Sequence, residues 1–191
     1  LYKDILALAG IRKSNVLEKI LQALAFQVGS EVSYNEIAQL VGVDKNTVNN
    51  YIDLLEKSFV VFRLNSFFRN HRNEIKANKK IYFYDNGVRN MVIGNLNHLA
   101  LRQDKGALWE NFMIAERMKH LAYSQSNAKP YFWRTTTQQE IDYIETNADD
   151  VAAFEFKWAS TKKTKLPKSF IEAYNPSFLV VNKENFREFL K

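Results

Sequence analysis

The 191-residue sequence contains no cysteine, which excludes disulfides and thiolate metal sites and fits a cytoplasmic location. No apolar run approaches the roughly 20 residues needed to span a bilayer, and no signal peptide opens the chain, so no membrane partner is expected. The motif Gly-x-x-x-x-Gly-Lys-[Ser/Thr] is absent, so no ATP site of that phosphate-cradling kind is expected. An initiator methionine is also missing. The start, Leu1-Tyr2-Lys3-Asp4, is helix-like at once, as expected of the middle of a longer protein.

Hydrophobic residues make up 46% of the chain and aromatic residues 14%, enough for packed cores and against disorder. The net charge is +6. Residues 1–85 hold 12 basic and 9 acidic residues, and residues 86–191 hold 15 and 12, so the excess is local rather than confined to one half. Arg69, Arg72, Lys76, Lys79 and Lys80 face a single acid, Glu74, within residues 69–80. Lys157, Lys162, Lys163, Lys165 and Lys168 have no acid among them. Such patches attract polyanions, although solvated lysine-rich loops have the same composition.

Asn15 is expected to cap a helix carrying Val16, Leu17, Ile20, Leu21 and Leu24 at helical spacing. Ser33-Tyr34-Asn35-Glu36 is a capping box that starts a short helix. Gly42 then turns the chain, and Asp44 caps a second helix with Val48, Tyr51, Ile52 and Leu55 inward. Two short helices joined in this way form a helix-turn-helix. The outward face of the second carries Lys45, Asn46, Asn49 and Asn50, residue types that read bases or meet phosphate. Strands at Phe59–Leu64 and Lys80–Tyr84 follow, with the basic stretch between them, as in a winged helix. Arg69, Arg72, Lys76 and Lys79 would then lie on a nucleic-acid backbone. Winged helices also serve as protein-interaction modules, and that alternative stands.

Asp85 is expected to cap a helix over Val88–Ile93, and Gly94–Asn97 is a linker. A long helix over Ala107–Ala122 carries Glu110 beside Trp109 and Phe112. Three strands follow at 131–135, 140–146 and 151–158, then a helix after Pro167, a buried strand over Ser177–Asn182 and a closing helix over Glu184–Leu190. Strand alternation puts Glu140 and Asp142 on one face of the second strand, and Glu155 and Lys157 on one face of the third. Asp142, Glu155 and Lys157 can therefore converge, with Glu110 as a third carboxylate. Hard oxygens suit Mg²⁺ or Mn²⁺, held by Asp142 and Glu155, and an ammonium can orient a nucleophilic water. A plain antiparallel sheet with one solvated face produces the same alternation.

This order of elements resembles the PD-(D/E)XK nuclease superfamily. More specifically, the chain resembles the C-terminal half of a prokaryotic AAA-type ATPase family, in which a winged helix and a nuclease-like domain follow the ATPase. The stretches that carry the likeness include Asn46–Ser58, Lys80-Ile81-Tyr82-Phe83-Tyr84-Asp85-Asn86-Gly87 and Gly106–Phe112. Further on they are Arg134, Glu140-Ile141-Asp142-Tyr143-Ile144 and Phe154-Glu155-Phe156-Lys157. The resemblance implies an α+β or α/β chain, with a winged helix-turn-helix and then a restriction-endonuclease-like α-β-β-β-α-β domain. The expected segments are 1–14 as the tail of the upstream ATPase, 15–94 as the winged helix and 95–191 as the nuclease-like domain. ATP would bind only in the part upstream of Leu1. Ile141, not proline, precedes Asp142.

Three functions follow as expectations. In the first, Glu110, Asp142, Glu155 and Lys157 hydrolyse phosphodiesters with Mg²⁺ or Mn²⁺. In the second, the same surfaces recruit nucleic acid or a protein to the ATPase without cleavage. In the third, the aromatic strands mediate self-association.

Overall fold

The computed structural model describes residues 14–68, 79–159 and 164–191. Among them are seven α-helices, one 3-10 turn and seven strands, in a mixed α/β arrangement. The expected basic positions Arg69, Arg72, Lys76, Lys162 and Lys163, and the segment 1–13, lie outside the described residues.

The first half runs α1 (Ser14–Phe26), β1 (Glu31–Val32), α2 (Tyr34–Val41), α3 (Lys45–Lys57), β2 (Val61–Ser66), β3 (Lys79–Phe83) and α4 (Asn86–Val92). The helix starts follow side-chain capping. Ser33 Oγ accepts from Glu36 N–H at 3.4 Å, Asp44 from Thr47 N–H at 2.9 Å, and Asp85 from Val88 N–H at 2.9 Å. Asn15 lies inside α1, which begins at Ser14. Between α2 and α3 the chain reverses at Gly42, whose φ of 77° is left-handed and favours glycine.

The second half runs from a 3-10 turn (Leu99–Leu101) to α5 (Lys105–Tyr123), β4 (Lys129–Arg134), β5 (Glu140–Asn147), β6 (Asp150–Phe156), α6 (Lys168–Tyr174), β7 (Ser177–Val181) and α7 (Phe186–Phe189). The expected sequence of helices and strands is present. One expectation fails: the strand at 177–182 is not buried. Among the described residues it is the last strand of the sheet, paired with β6 alone; Val181 is buried, but Phe178 is 36% exposed.

All seven strands form one sheet in the order β1-β3-β2-β4-β5-β6-β7. The halves meet where β2 runs parallel to β4, with Asn65 opposite Tyr131 and Ser66 opposite Phe132. Neighbouring strands β4, β5 and β6 are antiparallel hairpins. A single large core crosses the junction, from Leu17, Ile20, Val48 and Ile52 through Tyr82 and Phe83 to Phe132, Tyr143, Phe156 and Phe189. A smaller core of Tyr131, Ile141, Ile144, Ala153, Leu166 and Phe170 includes a residue of α6. Burying such side chains is worth roughly 1.5–3 kcal/mol each, so the junction is part of what keeps the chain folded.

Candidate active site

β5 and β6 bring the strand carboxylates together just beyond the end of their ladder, where Tyr143 pairs with Phe154 and a register shift against β4 falls between Ile141 and Ile144. Lys157 Nζ donates to Glu155 Oε2 at 2.8 Å and stands 3.7 Å from Asp142 Oδ2. The backbone N–H of Phe156 donates to the same Asp142 oxygen at 2.9 Å. Asp142 and Glu155 therefore share one ammonium on one side of the sheet. Glu110, on the first turns of α5, belongs to the same group, since its charge and that of Asp142 act on each other. All four expected catalytic residues are assembled in one place.

Three further side chains belong to the cluster, and the sequence reading did not select them for it. Lys80 on β3 is 1% exposed, and its Nζ lies 2.5 Å from Glu140 Oε1 and 3.5 Å from Glu110 Oε1. The Tyr82 hydroxyl donates to Glu110 Oε1 at 2.6 Å. Glu140 sits two residues before Asp142 on β5. The signal was present: Lys80-Ile81-Tyr82 alternates as Glu140-Ile141-Asp142 does. What the sequence lacked was any local sign that β3 reaches β5. Gly29 closes in as well, since a Cβ there would meet Glu110 Oε1 at 3.2 Å.

The electrostatics follow from this crowding. Burial pushes the Glu110 carboxyl up to about 7; Lys80 opposes the shift and Asp142 adds to it. Burial also raises Glu155, with Asp142 adding and Lys157 opposing. For Lys157 burial works against the charged form, yet Asp142 and Glu155 outweigh it and raise its pKa. Lys80 is raised in the same way, against burial, by Glu110 and Glu140. Burial and the neighbouring Glu110 hold the Tyr82 phenol well above its usual value, so its hydroxyl stays a donor.

Four carboxylates thus face two ammonium groups. The donor set (carboxylates of Glu110, Asp142 and Glu155) is oxygen-only and carries surplus negative charge, which fits a hard divalent ion in kind. Its present spacing is wider than a ready cage. Among the described residues no three acidic or imidazole side chains are close enough to hold a metal ion, and Lys157 binds both strand carboxylates.

The expected nucleic-acid face is distributed differently. Lys45, Asn46 and Asn50 on α3 are exposed. Asn49 is engaged instead: its Nδ2 donates to Asp53 at 3.2 Å and its Oδ1 accepts from Arg63 at 3.4 Å. The cause is Arg63 on β2, half-buried, which gathers Asp53, Glu56 and the Tyr34 hydroxyl around its guanidinium. Lys79 begins β3, opposite Val32.

Comparison with known proteins gives relatives without an assigned activity. Uncharacterised proteins of Mycobacterium bovis and Mycobacterium tuberculosis are each 31% identical over 160 residues, covering 82% of this chain and 35% of the relative. An uncharacterised protein of Haemophilus influenzae is 27% identical over 157 residues, covering 78% of this chain and 35% of that protein. The chain spans about a third of the length of the curated relatives it matches. No solved structure matches. Residues 105–190 match the family model "Domain of unknown function (DUF4143)", a domain found in C-terminal regions of AAA-ATPase-associated proteins. Residues 1–99 match the model "Domain of unknown function (DUF8612)", and the chain belongs to that family.

Proposed function

We propose that this chain is the C-terminal module of an ATPase-associated protein, that its first half is a winged helix which engages nucleic acid, and that the carboxylate–lysine cluster of its nuclease-like second half hydrolyses phosphodiesters. The observation that supports this reading is the shared ammonium. Lys157 meets Asp142 and Glu155 from adjacent strands, with Glu110 buried beside them. Neighbouring acids on one sheet face would repel one another and are costly to assemble without a purpose.

Asp142 and Glu155 would hold Mg²⁺ or Mn²⁺, with Glu110 and the Phe156 carbonyl completing the shell. The ion would supply a Lewis acid and an acidified water. The protein's own parts are clearer. Lys157 holds the strand carboxylates together while no cation is present, and its ammonium then stands where a water or a developing phosphorane charge needs a donor. Lys80 and Tyr82 hold Glu110 in place and offset its charge. Lys45, Asn46 and Asn50 would contact the nucleic acid from α3, joined by Lys79 and by Arg69, Arg72 and Lys76. The latter three lie outside the described residues.

The second reading, a recruiting module without cleavage, draws on Lys157 occupying the space between Asp142 and Glu155. Incubating supercoiled plasmid with the protein and Mn²⁺ separates the two. We expect nicking by the wild type and a loss on the order of 10²–10⁴-fold in Asp142→Ala and Lys157→Ala. Absence of metal-dependent nicking on duplex and single-stranded substrates would leave the recruiting module.

A further inference from the structure

A cavity of about 370 Å³ opens where β1, β2 and β4 end, lined by Glu31, Ser66, Phe68, Arg134, Thr135, Thr136 and Gln138. Arg134 is its only cationic lining residue among the described ones. The guanidinium donates one hydrogen bond, to Gln138, a neighbour across the β4–β5 turn. Its two carboxylate neighbours, Glu31 and Glu140, lie 3.8 and 3.9 Å from Nε, beyond hydrogen-bond reach. Glu140 is already neutralised by Lys80 at 2.5 Å. The fork therefore keeps N–H groups for another acceptor, while the two carboxylates orient it.

Hydroxyls surround it. Ser66 is 4% exposed and lines the cavity. Thr136 is exposed at the rim. A planar cationic fork ringed by hydroxyl donors matches the tetrahedral, multi-oxygen face of a phosphate better than a flat carboxylate. The chain's charge of +6 favours an anion in general.

The cavity also has a position relative to the acidic cluster. Arg134 and Glu140 are cross-strand partners, and Asp142 follows Glu140 two residues on, about 7 Å along β5. We propose that the Arg134 cavity is a phosphate-binding subsite, with Ser66 and Thr136 as supporting donors, that holds a backbone phosphate of the nucleic acid next to the acidic cluster. The ligand's identity rests on the nucleic-acid reading given above; its binding does not require that any bond be cut.

The test is a titration of the Arg134 Nε–H signal by NMR with inorganic phosphate, a short oligothymidylate and, as comparator, acetate at matched ionic strength. Oligothymidylate affinity is measured in parallel for wild type, Arg134→Gln, Arg134→Lys, Thr136→Val and Asp142→Asn. We expect both phosphate ligands to move the signal and acetate not to. Arg134→Gln is expected to bind oligothymidylate about tenfold more weakly, with a salt slope smaller by about one. Arg134→Lys keeps the charge and loses the fork, so it should also weaken binding. Thr136→Val, at the exposed rim, should give a smaller loss. A response to inorganic phosphate alone would support the subsite with a free phosphate or nucleotide as its source. Equal shifts with acetate, an Arg134 signal that neither phosphate ligand moves, or an oligothymidylate that moves the signal yet binds Arg134→Gln as tightly as wild type, would overturn it. Asp142→Asn separates the two proposals, since it should abolish nicking and leave the Arg134 response intact.

Discussion

Replacing Lys80 with Met is expected to lower the unfolding free energy by about 3–5 kcal/mol, the cost of breaking a buried ion pair by removing one partner. Lys80 is 1% exposed and neutralises Glu140 and Glu110 from the other half of the chain, with its ammonium 5.3 Å from the Phe132 ring centre. Met matches the stem in length, so the loss reports charge rather than a cavity. The deficit has a pH signature. Glu110 already sits at about 7 in the folded protein, so folding favours its protonated form. Its contribution is full below the unfolded value and is lost as pH rises through about 7. Without Lys80 opposing, the carboxyl is pushed further up, so the variant should be nearer to wild type at pH 5 than at pH 8. Urea melts of both proteins at the two pH values check this. An equal deficit at both would mean that Lys80 acts through Glu140 and not through Glu110.

The second large effect is expected at Asn111, one residue along α5 from Glu110 and 1% exposed. Its Oδ1 accepts from Phe83 N–H at 2.8 Å, and its Nδ2 donates to the Phe83 carbonyl and the Asn86 side chain, each at 2.9 Å. A side-chain amide thus completes the end of β3 as a neighbouring strand would, and fixes α5 against it. Asn111→Ala leaves the Phe83 N–H and carbonyl buried without their partner, at roughly 1–3 kcal/mol each, and takes a donor from the half-buried Asn86 side chain. A total loss of about 3–5 kcal/mol in thermal or urea unfolding is expected. Asn111→Asp keeps the acceptor for Phe83 N–H and loses the donor, so it should fall between Ala and wild type. A loss under 1 kcal/mol in the Ala variant would mean that water takes over these bonds. Because Glu110 is the neighbouring residue, this bracket also sets how the third carboxylate meets the strands.

Parts of the site were legible in the sequence and parts were not, for physical reasons. Asp142 on β5, Glu155 on β6 and Lys157 directly after that strand belong to one hairpin, where alternation and a short turn largely decide which side chains meet. Those rules are local, and reading them along the chain is enough. Lys80 and Tyr82 join only because β2 lies parallel to β4, a pairing between segments 66 residues apart at Asn65 and Tyr131. No local pattern announces that contact. Asn49 fails in the opposite sense. Helical spacing places it outward, but Arg63 on the following strand draws Asn49, Asp53 and Glu56 into one network. The last strand was legible as a strand but not as an edge, since its apolar run Phe178-Leu179-Val180-Val181 has the composition of a central strand.

The most direct measurement of the central claim is Mn²⁺ binding to the full chain, followed by electron paramagnetic resonance, with a metal-soaked crystal to locate the ion by its anomalous signal. One Mn²⁺ per chain between Asp142 and Glu155, with Lys157 displaced from both and binding lost in Asp142→Ala and Glu155→Ala, is the predicted result. An ion seated elsewhere, or no binding at millimolar Mn²⁺ while Lys157 stays bonded to both carboxylates, would contradict the account.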